Sequence, residues 1–101
     1  MNVSMVKTRN QARLGLQGRF DFSSHAHFKE VCDQALDDQE VGELVLDMDK
    51  LEYLDSSALG MLLLLRDRVT KAHKAVAIEN CRGVVSEVLG IANFQKLFAI
   101  R

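Results

Sequence analysis

Asp55-Ser56-Ser57 sets one carboxylate beside two adjacent hydroxyls, and Ala58-Leu59-Gly60 follows with small or apolar residues and no charge. A serine hydroxyl accepts a phosphoryl group, which then carries about −1.5 to −2 charge at neutral pH. Such a charge is best tolerated where a helix begins, because the first backbone N–H groups are unpaired and the helix dipole favours an anion there. The simplest structural role of Asp55 or Ser56 is that of an N-cap, worth ~1 kcal/mol. Capping does not need the second serine, and a glycine in the first turn costs ~1 kcal/mol of helix propensity relative to alanine. A first turn of small residues leaves the backbone open to approach by another molecule.

The elements that must position this segment follow from hydrophobic spacing. Ser57 to about Ala72 reads as a helix with Leu59, Leu62, Leu63 and Val69 directed inward, and Leu44-Val45-Leu46 before it as a central strand covered on both faces. Between them Asp47 to Asp55 is a mixed segment. Val3 to Val6 and Ala12 to Leu16 alternate and predict a β-hairpin, which Gly18 ends. Phe28, Val31, Cys32, Ala35 and Leu36 form one face of a first helix, capped by Ser23 or Ser24 and running to about Asp38. Ala75 to Ile78 reads as a strand, Val84 to Leu89 as a short helix that stops at Gly90, and Leu97 to Ile100 as a last strand. The order β-β-α-β-α-β-α-β predicts a single α/β domain over residues 1–101, with a mixed sheet of about five strands, parallel in its later part, and three helices.

Other chemistries fare worse. With 13 Lys+Arg against 14 Asp+Glu, the net charge of −1 supplies no positive field for nucleic acid. Cys32 and Cys81 lie far apart outside any CxxC spacing, which favours buried free thiols in a reducing cytosol. His25 and His27 on a helix point roughly 200° apart, so they do not converge on a metal. A Ser-His-Asp hydrolase would need a histidine beside Ser57, and the chain has no Gly-x-Ser-x-Gly elbow. A receiver of the phospho-aspartate type would want an acidic pair directly after the first strand, and none is present. The longest apolar run, Ala58 to Leu65, is far short of the roughly 20 residues that span a bilayer. The apolar circumference of the second helix offers a partner or dimer face, and Arg66, Asp67, Arg68, Lys71 and Lys74 read as a solvated charged end.

The stretch from Val45 to Leu63 closely resembles the signature of STAS domains, the family of bacterial anti-sigma factor antagonists. In that signature an apolar strand ends in Asp-Leu and a short bend leads to Asp-Ser-Ser-Gly-Leu-Gly and an apolar helix. Gly18-Arg19-Phe20-Asp21 is similar to the family's Gly-x-x-Asp after the second strand, and the element order extends the resemblance to the whole chain. Ala58 stands where the family commonly has glycine. The resemblance implies that Ser57 is the phosphoacceptor, with Ser56 its rival, and that Asp21 and Asp55 lie close by. Asp21, Asp55, Ser56, Ser57, Ala58, Leu59 and Gly60 would then form the partner-binding surface. The implied partners are an anti-sigma factor that is an ATP-binding serine kinase and a serine phosphatase that restores the hydroxyl. The resemblance implies a cytoplasmic monomer or weak homodimer without enzymatic activity, cofactor or metal. The alternative is an accessory STAS subunit of a transporter complex or signalling assembly, with no phosphoswitch.

Overall fold

The computed structural model describes residues 1–101. The alternation near the N-terminus produces two antiparallel strands, β1 (Asn2–Thr8) and β2 (Gln11–Phe20), in register from Asn2 opposite Gln17 to Thr8 opposite Gln11. Arg9 turns the hairpin with φ 55°, the left-handed conformation that tight hairpin turns require. Gly18 does not end β2. The strand runs through it, with φ 98° at the glycine, and carries Phe20 into the core.

After a 3-10 turn at Phe22–Ser24 come α1 (His25–Asp37), β3 (Glu43–Leu54), α2 (Ser56–Lys71), β4 (Ala75–Glu79), α3 (Gly83–Ile91), a second 3-10 turn at Phe94–Lys96 and β5 (Ala99–Ile100). The sheet order is β1-β2-β3-β4-β5, and every pairing after the hairpin is parallel. This is the mixed five-stranded α/β fold with three helices that the spacing predicts.

Three local expectations fail for physical reasons. The mixed segment Asp47 to Asp55 belongs largely to β3, whose pairing with β2 shifts twice, between Gly15 and Gln17 and between Gly18 and Arg19. The core face keeps a period of two through Leu44, Leu46 and Met48, and the bulges then bring Leu51 and Leu54 inside at intervals of three, which hides the rest of the strand from its usual pattern. The last strand is only two residues long, because Leu97 and Phe98 continue the 3-10 turn, where the Phe98 ring stacks on Phe94 at 5.3 Å. In α2 the buried positions are Ala58, Met61, Leu62, Leu65 and Val69, whereas Leu63 is exposed and Leu59 half-buried.

One core cluster draws side chains from all three helices, so the helices cover one face of the sheet. Over the other face Arg13 bridges to Asp47 and Glu79, and Arg101 pairs with Glu43 and Glu79. Val45 and Ala77, in register with Arg13, are buried beneath this ionic layer. Cys32 is buried, and burial pushes its thiol up to about 12, which makes it unreactive; Cys81 is only half-buried.

Candidate functional site

Phe20 and Leu54 are the last paired residues of two neighbouring parallel strands, and the Asp55 N–H donates to the Phe20 carbonyl at 3.2 Å. Asp21 and Asp55 are therefore the first residues beyond the same end of the sheet. The carboxyl ends of parallel strands are where α/β folds gather their chemistry.

Both carboxylates act as caps. Asp55 has extended backbone (φ −109°, ψ −176°) and its Oδ1 accepts from the Ala58 N–H at 2.9 Å. Asp21 Oδ1 accepts from the Ser23 hydroxyl at 2.5 Å and from the Ser23 N–H at 3.0 Å, while Ser24 Oγ accepts from the Asp21 N–H at 3.3 Å. The Ser23 hydroxyl has the largest effect on the Asp21 carboxyl and, helped by the Ser23 N–H and the nearby Arg19 charge, outweighs desolvation and holds it below its usual range. Ser24, at the N-cap of α1, makes no side-chain bond to that helix. The expectation that Ser23 or Ser24 caps α1 is thus replaced by a capping box centred on Asp21.

Ser56 is not a cap either. It is the first residue of α2 and exposed, Ser57 is the second and half-buried, and neither hydroxyl takes part in capping. Ala58 faces the core with no exposure, so it does not contribute an open backbone surface. Gly60 does. It is exposed, and a Cβ built there would meet no atom within 4 Å, so packing does not require the glycine.

At 100° per residue Ser57 lies on the stripe of Met61, Leu64, Leu65 and Arg68, which faces α1, whereas Ser56 shares the outward side with Gly60 and Leu63. Phe22, on the turn that Asp21 caps, is 77% exposed. Hydrophobic periodicity assigns this residue no place. Its signal is that it falls off the apolar stripe beginning at Phe28 while sitting directly after a capping aspartate. Arg19 places its guanidinium 4.2 Å from the centre of the Tyr53 ring on the next strand. His25 and His27 are both exposed, no group of three or more His, Cys, Asp or Glu is arranged to hold a metal ion, and no helix is long and apolar enough to cross a membrane.

Residues 3–99 match the family described as Mlab, STAS domain. The chain belongs to the STAS domain family. This STAS domain is 41% identical over 85 residues to a STAS-domain containing protein of Pseudomonas aeruginosa, covering 84% of the present chain and 82% of that protein. Its fold is similar to that of SpoIIAA, an anti-sigma factor antagonist, in the unphosphorylated form (TM-score 0.82, 16% identity, 99% of this chain and 88% of that one). The phosphorylated form of SpoIIAA, a cell fate determinant of Bacillus, gives a TM-score of 0.75 at 15% identity, over 99% of this chain and 91% of that one. A sulfate transporter family protein of Wolinella succinogenes is also similar in fold (TM-score 0.74, 16% identity, 90% of this chain and 73% of that one).

Proposed function

We propose that this STAS domain is an anti-sigma factor antagonist, a protein-binding module switched by phosphorylation of Ser57. The unmodified form binds an anti-sigma factor that is also an ATP-binding serine kinase, and so regulates sigma-factor-dependent transcription in the cytoplasm. Phosphorylation releases the partner and a serine phosphatase restores the hydroxyl. The domain itself carries out no reaction and needs no cofactor.

The observation that carries this reading is that Asp55 alone caps α2, which frees both serine hydroxyls at a helix start. A phosphate there meets unpaired N–H groups and the positive end of the dipole, so the fold survives modification. The surface does not stay the same. Beside the Asp21 and Asp55 carboxylates a further two negative charges repel an acidic partner and impose a desolvation cost on any interface that buries residue 57. Ser57 is preferred to the more exposed Ser56 because the family signature implies the second serine and because position 57 shares the stripe that faces α1. SpoIIAA, similar in fold, is known in both phosphorylation states.

The test is partner affinity of Ser57→Asp and Ser57→Ala, both checked as folded by circular dichroism. Ser57→Asp is expected to weaken binding at least about tenfold, or 1.4 kcal/mol, with Ser57→Ala near the parent value. Equal affinities overturn the switch, and a phosphate mapped to Ser56 by mass spectrometry moves it by one residue. The likeness to a transporter-family structure favours a second reading, an accessory subunit of a transport or signalling assembly. That reading predicts co-purification with a transport ATPase and an unmodified Ser57.

A further inference from the structure

We propose that the groove between α1 and α2 is a docking site for an amphipathic helix of a partner protein, one that carries acidic residues along the flanks of its apolar face. The inference rests on the reading of the domain as a protein-binding module and adds where the partner sits and what chemistry it presents.

Phe28 and Cys32 of α1 and Met61, Leu64 and Leu65 of α2 line a cavity of about 120 Å³. Four of these five are buried, but Leu64 is 60% exposed at the rim, and Phe22, 77% exposed, stands on the turn leading into α1. Two large apolar side chains held in water on rigid elements are unspent binding surface. Helices dock in such grooves through apolar anchors spaced i, i+3/i+4 and i+7. The lining runs from His25 to Cys32 on α1 and from Met61 to Arg68 on α2, about 10 Å or two turns of each helix.

The charges around the groove select the flanks of the occupant. Its ionisable lining is Lys29, Arg68 and His25, with no carboxylate. Asp33, just outside, pairs with both Lys29 and Arg68, so two cations at the rim share one carboxylate, while Glu30 and Asp37 border a different cavity. Leu64 is the one large exposed apolar residue that lines a cavity; Phe22 lies outside it on the approach to α1, and Val84, Ile91 and Leu97 line none. Ser57 begins the same α2 stripe as Met61, Leu64 and Arg68, so a phosphate there stands at the head of the groove and opposes an acidic flank.

The test titrates the isotope-labelled full chain with a synthetic amphipathic peptide of about 14 residues, carrying leucines on one face and glutamates on its flanks, and follows amide shifts by NMR. The acidic peptide is expected to shift the amides around Phe22, Leu64 and Arg68. A lysine-flanked version is expected to bind at least about tenfold more weakly, as are the Leu64→Ala and Phe22→Ala chains with the acidic peptide, whereas Ile91→Ala binds like the parent. Shifts centred on α3, equal binding of the two peptides, or the same amides moving with protein concentration alone, as a second copy filled the groove, overturn the proposal. If Ser57→Asp binds the acidic peptide as the parent does, the groove stands and the phosphoswitch falls. If no peptide binds while the Ser57 variants still discriminate the kinase, the groove falls and the switch stands.

Discussion

Asp55 holds the head of α2 by a single hydrogen bond that the Ala58 N–H donates to its carboxylate. Replacing it with alanine is expected to cost about 1 kcal/mol in urea unfolding, and Asp55→Ser to recover most of that, because serine caps nearly as well. A loss within error would show that the bond contributes nothing. Gly60 sits in the opposite situation. Its Cβ would meet nothing, so Gly60→Ala is expected to raise stability by up to about 1 kcal/mol through helix propensity. If the bare position serves the partner, the same variant binds it more weakly, and unchanged affinity assigns the glycine no role in recognition. In the sequence alone Asp55 and Ser56 are equivalent caps. The choice is made by which residue has extended backbone, and the end of β3 imposes that on Asp55.

At the scale of elements the site depends on how β2 and β3 end together. The two register shifts let a twelve-residue strand finish level with a ten-residue one, so Asp21 and Asp55 emerge side by side. Gly18 lies at the second shift with φ 98°, a conformation that costs a side-chain-bearing residue about 1–2 kcal/mol. Gly18→Ala is therefore expected to destabilise the domain by that amount, and also to shift the amide resonances of Asp21 and Asp55 in NMR spectra. Loss of stability with those resonances unmoved would separate the glycine from the site. The family-like Gly-x-x-Asp spacing is visible in the sequence; that the glycine belongs to a continuous strand is not, because glycine marks turns and bulges alike.

Across the whole molecule, the helix-free face of the sheet is held by ions rather than by a second apolar layer. Asp47 lies at its centre. Burial works against its ionisation, but the Asn80 amide, the Asp49 N–H and Arg13 outweigh it and hold the carboxyl below its ordinary value of 3.8. A carboxyl lowered in the folded state binds fewer protons than in the unfolded chain. Its stabilisation is complete above the ordinary value and lost as pH falls through the lowered one. Asp47→Asn is expected to be less stable than the parent at pH 7 and to lose less on acidification between roughly pH 5 and pH 3, by urea unfolding at each pH. Parallel pH profiles for the two proteins would remove Asp47 from the account.

The element order, the parallel sheet, the hairpin and the composition of the site segment were legible in the sequence, because hydrophobic period and capping residues are local properties. The tertiary structure decided what depends on neighbours. It made Asp55 the cap and left both serines free, turned Ala58 inward and Leu63 outward, and absorbed the mixed segment before Asp55 into β3. Each outcome reflects packing between chain segments distant in sequence: β2 against β3 sets the bulges, and the sheet beneath α2 sets its rotation. The Asp55-Ser56-Ser57 segment is thus named by its sequence, while the exposure of its hydroxyls and the groove that runs from it exist only once α1, α2 and the two strand ends are assembled.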